Sequence, residues 1–299
     1  MKIFLGVMFA LLTLVACAAP TPRPLKVLAA ETFLADIGQN VAGDRLQIEA
    51  LLPLDADPHS FEPTPNDVRR VADCTVLIVN GAGFEEFLNR ILANAGGNRQ
   101  VIDASAGLTS RKPTANEILD ADRPGDPHFW LDPSNVVKYV ENIRDALAQV
   151  DPAGATTYKS NADAYIANLK QLDQAIAEQV KTVPAERRKI VTNHESFGYF
   201  ADRYGFQIIG TIVPSVSTGA APSAQQIARL IDQIRQSGTR VIFLEAGANP
   251  QLAKQIAQET GVRIVTNLYT HSLTAPNGVA PTYIEMMKHN VKTIVDALK

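Results

Sequence analysis

PAGATTYKSNADAYIANLKQLDQAIAEQVKT, residues 152 to 182, has no proline after its first position and repeats an apolar side chain at Tyr158, Ala162, Tyr165, Leu169, Leu172, Ile176 and Val180. Steps of three and four predict one amphipathic helix, about 45 Å long at about 1.5 Å per residue. Such a helix can run along two lobes, and a chain of 299 residues exceeds the usual size of a single core. Residues 151–183 therefore read as a connector between an N-terminal lobe, 25–150, and a C-terminal lobe, 184–299. A coiled-coil dimer competes with this reading. About three heptads with Ala and Tyr in the seam make a weak zipper, however, so packing onto the lobes is favoured and a monomer is expected. A long rigid connector would also limit how far the lobes hinge.

On either side of the connector, apolar runs of strand length alternate with helical patterns: Leu25 to Ala29, Ile48 to Leu52 and Val76 to Val79 before it, then Ile190 to Thr192, Ile208 to Val213, Val241 to Leu244 and Val262 to Thr266. This alternation predicts an α/β fold with mostly parallel sheets covered on both faces. Helix starts are written as a capping residue before proline at Thr64-Pro65, Asp132-Pro133, Asp151-Pro152 and Asn249-Pro250. Asp67, three residues after Thr64, comes close to completing a capping box.

Composition narrows the function. Hydrophobic residues at 46% and charged residues at 20% describe an ordinary globular chain, and a formal net charge of −3 without runs of one sign argues against nucleic acid as a partner. Residues 1–16, with Lys2 ahead of the apolar Ile3 to Ala16, read as a signal peptide too short to span a bilayer. Leu14-Val15-Ala16-Cys17 resembles a bacterial lipobox, which implies cleavage before Cys17 and a lipid anchor on its thiol. Residues 17–24 then form a Pro-rich tether, and the mature chain carries a net charge of −4 because only Lys2 is lost. The remaining cysteine, Cys74, lies in an apolar run and is expected in the core, with no intramolecular disulfide available.

Of five histidines, His289 lies in the predicted final helix beside Lys288 and Asn290 and reads as a solvated face position. His59, His128, His194 and His271 lie near strand ends or just ahead of helix starts, two before the connector and two after it. In open α/β sheets such turns line the ligand crevice. Spacing alone does not decide between a shared metal site and four separately satisfied histidines.

Longer segments bear on that choice. Asp57-Pro58-His59-Ser60-Phe61-Glu62-Pro63-Thr64-Pro65-Asn66-Asp67 and Asn80-Gly81-Ala82-Gly83-Phe84-Glu85 resemble the zinc and manganese solute-binding proteins of bacterial ABC importers, often called family 9. Asp126-Pro127-His128-Phe129-Trp130-Leu131-Asp132-Pro133 and Thr192-Asn193-His194-Glu195-Ser196-Phe197-Gly198-Tyr199-Phe200 are similar to further ligand segments of that family. Glu245, Pro250, Gly261, Tyr283 to Met287 and Asn290 fit its C-terminal lobe. The resemblance implies two (β/α) lobes bridged by a long helix, a metal in the inter-lobe cleft, and His59, His128 and His194 as ligands. It also implies an extracytoplasmic receptor, at a periplasm or the outer face of the cytoplasmic membrane, that serves an ABC permease. At the fourth ligand position the family commonly has an acidic residue in an Asp-Ser-Leu-like segment, where this chain has His271-Ser272-Leu273.

Four imidazoles suit Zn2+ in a tetrahedral shell at about 2.0–2.1 Å, whereas Mn2+ favours oxygen donors. Zinc is thus the expected cargo and manganese the alternative, kept open because Thr109 to Pro127 lacks the His-rich loop common in zinc specialists. Glu195 and Glu245 are the nearest carboxylates by sequence to accept hydrogen bonds from ligand ring N–H groups. In a competing reading His271 points to solvent, and Glu245 or a water completes the shell. Metal should be lost below about pH 6.5, where protons compete for imidazole. A zinc hydrolase is disfavoured because the residue four after His194 is Gly198 rather than His, and four protein ligands would leave no place for activated water. An adhesin has no separate signature here.

Overall fold

The computed structural model describes residues 25–111 and 125–299. The expected signal peptide, Cys17 and the tether lie outside the described residues. In chain order the first half contains β1 (Val27–Ala29), α1 (Thr32–Ala42), β2 (Ile48–Ala50), α2 (Pro65–Asp73), β3 (Val76–Val79), α3 (Glu86–Ala95), β4 (Gln100–Asp103) and α4 (Pro133–Val150). The second half contains α5 (Ala155–Lys181), β5 (Lys189–Thr192), α6 (Gly198–Tyr204), β6 (Gln207–Thr211), α7 (Ala224–Ser237), β7 (Val241–Glu245), α8 (Gln251–Thr260), β8 (Arg263–Leu268) and α9 (Tyr283–Leu298). Two four-stranded parallel sheets result, ordered β2-β1-β3-β4 and β6-β5-β7-β8. The expected α/β architecture of two lobes is present.

All seven apolar positions read on the connector are buried in α5. The helix packs on α1 and α4 of the first lobe and on α9 of the second. Removing Leu169, Leu172, Ile176 and Val180 from water stabilises by about 1.5–3 kcal/mol each before conformational entropy is counted. One continuous core joins Val27 and Ile78 of the first sheet, the buried face of α5, and Ile190 and Val241 of the second. The outer faces of the two sheets have separate cores, around Leu77 and Ile91 in one and Ile242 and Ile256 in the other. A shared inner core leaves the lobes little freedom to rock as independent bodies. Among the described residues no helix is long and apolar enough to cross a membrane.

Local punctuation follows the residues with two exceptions. Thr64 and Asp67 form the complete capping box, and the Asp132 side chain accepts from the Ser134 N–H. At Pro152 the expected helix opens instead as a 3-10 turn, Pro152–Gly154, before α5 begins. The reason is that Asp151 does not cap: its carboxylate takes Arg45 and the Tyr158 hydroxyl, the latter at 2.5 Å. Near Asn249 the side chain accepts from the Gln251 N–H at 3.0 Å, so α8 starts after Pro250 rather than with it. Cys74 is buried with a free thiol, as expected.

Candidate metal centre

In each sheet the strand order reverses beside the first strand, so crevices open beyond the carboxyl ends of β1 and β3 and of β5 and β7. His194 lies two residues past β5 and Glu245 ends β7, which brings them together at the second switch point: Glu245 Oε1 is 2.7 Å from His194 Nδ1. The first lobe reaches the same place with loops. His59 comes from the turn after β2, and His128 from the segment that leads into a short 3-10 turn ahead of α4. His271 follows β8 by three residues.

The structure brings His59, His128, His194 and His271 together, each offering a ring nitrogen within 4.8 Å of all the others. His128 Nε2 is 3.3 Å from His194 Nε2 and 3.5 Å from His271 Nε2. A tetrahedron of nitrogens about 2.0–2.1 Å from a central ion has edges of about 3.3–3.4 Å. Those two separations are close to such edges. Asp126 Oδ1 stands 2.9 Å from His128 Nδ1 and Glu245 Oε1 stands 2.7 Å from His194 Nδ1, so carboxylates lie on the Nδ1 sides and the Nε2 atoms of both rings face the cluster.

Charge follows from these contacts. Burial alone would push the Glu245 carboxyl up, but the His194 imidazole and, behind it, His271 hold it down at about 2. Burial lowers His194 as well, yet Glu245 outweighs it and the imidazole is raised. His271, whose Nδ1 is 3.7 Å from Glu245 Oε2, is depressed by burial to about 4 despite that carboxylate. The ordering favours a neutral His271 beside an anionic Glu245, whereas a dication would have to displace a proton from His194.

The surrounding scaffold fixes these rings. His59 stacks edge-on against Phe84 at 5.1 Å. Trp130 Nε1 donates to the Thr270 carbonyl at 2.7 Å, and the Tyr283 hydroxyl donates to the Trp130 carbonyl at 2.6 Å, tying His128 and His271 into one frame. Reading His271 as solvent-facing does not fit, because the residue is buried within the cluster. Of the two carboxylates expected to serve the rings, Glu245 lies 2.7 Å from His194 Nδ1. Glu195 is buried on the His194 loop, with its backbone N–H on the Ser215 carbonyl at 3.0 Å.

Sequence reasoning missed the role of Asp126 and left that of Asn290 unassigned. Asp-Pro-His occurs twice, at 57–59 and 126–128, and in both places the Asp Oδ1 accepts the histidine's backbone N–H, at 3.0 and 2.9 Å. That repetition was the available signal. Asn290 is buried, and its amide clamps the N–H and the carbonyl of Tyr269, two residues before His271, at 2.9 and 2.6 Å. His289 stays outside the cluster, half-buried, with Nε2 at 2.9 Å from the Asn267 carbonyl.

Residues 27–297 match the family described as zinc-uptake complex component A, periplasmic. The manganese-binding lipoprotein MntA of Halalkalibacterium halodurans is 36% identical over 275 residues, covering 92% of this chain and 88% of that protein. The iron-binding protein YfeA of Yersinia pestis is 33% identical, covering 92% of this chain and 86% of its own length. Among solved structures, the periplasmic zinc-binding protein TroA from Treponema pallidum superposes with a TM-score of 0.81 at 27% identity, over 91% of this chain and 99% of that one. A Mn-bound periplasmic metal-binding protein from Candidatus Liberibacter asiaticus gives 0.80 at 28% identity, over 92% and 100%.

Proposed function

The chain belongs to this family of extracytoplasmic metal-binding receptors of ABC importers, and from that premise we propose that its cargo is zinc, taken up by His59, His128, His194 and His271 and passed to a membrane permease. The observation that carries the choice is the pair of Nε2 separations, 3.3 and 3.5 Å, on rings whose Nδ1 sides face Asp126 and Glu245. An all-nitrogen tetrahedral shell is zinc chemistry, and a manganese shell would be built of oxygens. The two neighbouring carboxylates offset the charge of a dication bound by neutral imidazoles. Four protein donors also leave no open position for activated water, in keeping with a receptor rather than a hydrolase.

Manganese is the second reading, supported by the name of the related MntA and by the absence of histidine between Thr109 and Pro127. Relatives named as lipoproteins support Cys17 as the anchor that keeps the receptor at the membrane surface. X-ray absorption on the zinc-loaded protein tests the donor set. A four-coordinate shell at about 2.0–2.1 Å with outer-shell scattering from four imidazole rings is expected, and scattering from only three rings would overturn His271 as a ligand.

A further inference from the structure

Beside the histidine cluster a cavity of about 350 Å³ opens between the lobes, lined by Asp55, Asp57, Thr218, Glu245, Thr270 and His271 among others. Three carboxylates and no lysine or arginine line it among the described residues, so it attracts a cation. Of the four histidines three are buried, and His59 alone is partly exposed. Its Nε2 is nevertheless buried. The loop that carries His59 is held by one carboxylate: Asp57 Oδ1 accepts the His59 backbone N–H at 3.0 Å, while Asp57 Oδ2 accepts the hydroxyl of Thr218. Thr218 belongs to the other lobe, in the connection between β6 and α7. A second bond across the cleft, from the Asp55 N–H to Ser272 Oγ at 2.9 Å, pins the same loop beside His271.

The geometry points to Thr218 as a positioning residue that, through Asp57, latches the His59 loop across the cleft and sets how fast the metal leaves. Thr218 acts by fixing the carboxylate that fixes the His59 backbone. The shared core around α5 keeps the lobes from rocking freely, so release proceeds by movement of this loop. Opening the latch frees the His59 loop beside the acidic cavity, which Asp57 and Thr218 both line. This inference rests on the four-imidazole reading above.

The test is stopped-flow release of Zn2+ to excess chelator, from the wild-type protein and from Thr218→Val, Thr218→Ala and Thr218→Ser. Co2+ absorption spectra report the coordination shell in each. Valine and alanine lack the hydroxyl and should release Zn2+ about tenfold faster, the ratio expected when one hydrogen bond to a charged group is lost. Serine keeps the hydroxyl and should release at close to the wild-type rate, and all four proteins should give the same tetrahedral Co2+ spectrum. Equal release rates with an unchanged spectrum would overturn the latch alone. A wild-type spectrum that is not tetrahedral would overturn the four-imidazole reading, and the latch with it.

Discussion

The two sheets repeat one topology, yet their switch points hold different chemistry. Between β5 and β7 the carboxylate of Glu245 meets the imidazole of His194. At the matching place between β1 and β3 two carboxylates gather: Glu31, two residues past β1, and Glu85, six past β3, both buried. Burial pushes all three carboxyls up, but only Glu245 has imidazoles to reverse it, and it settles at about 2. Glu85 is raised to about 7 by burial, although the Asn80 and Gly81 N–H groups favour its ionised form. Glu31 is raised well above the ordinary range by burial and by Glu85. The same crevice geometry thus yields an anion ready to support a metal ligand in one lobe and proton-holding carboxyls in the other. The partner side chain decides which.

Removing the Glu245 carboxylate should break this contrast most severely. Glu245→Ala leaves His194 Nδ1 without its acceptor, and zinc affinity measured by chelator competition should fall by about 10–100-fold. An unchanged affinity would mean that the carboxylate does not orient His194. A smaller effect belongs to the other lobe. Below about pH 4.5 the Glu31 and Glu85 carboxyls are protonated in folded and unfolded chains alike; as the pH rises from there to about 7, the unfolded chain releases its protons first. The pair's own contribution to the stability of the metal-free protein should therefore fall over that window, against the gain from His271, whose depressed imidazole adds stability as the pH rises above about 4. Glu31→Gln should flatten the loss in urea melts taken across the range. If the variant and the wild type keep the same slope, the pair does not hold protons.

The sequence makes the scaffold easier to read than its edges. Long-range periodicity identifies α5 because all seven positions face one shared core. β4 has no such signal: it is an edge strand in which only Ile102 is buried and Val101 is exposed, so nothing alternates. The four histidines are visible as loop residues at strand ends. Their mutual distances are not, because convergence depends on two lobes docking through contacts such as Trp130 with Thr270, 140 residues apart. Asn290 is hidden among polar neighbours, although it lies four residues after Met286 and four before Ile294, on the buried stripe of α9.

Competition between Zn2+ and Mn2+ for the metal-free protein and for His271→Asp tests the central claim most directly. Four imidazoles predict tight zinc binding in the wild type and a shift toward manganese in the variant, because one nitrogen donor becomes a carboxylate oxygen. Equal zinc and manganese affinities that the substitution leaves unchanged would contradict the assignment of His271 as the selecting ligand and would make manganese the cargo to pursue.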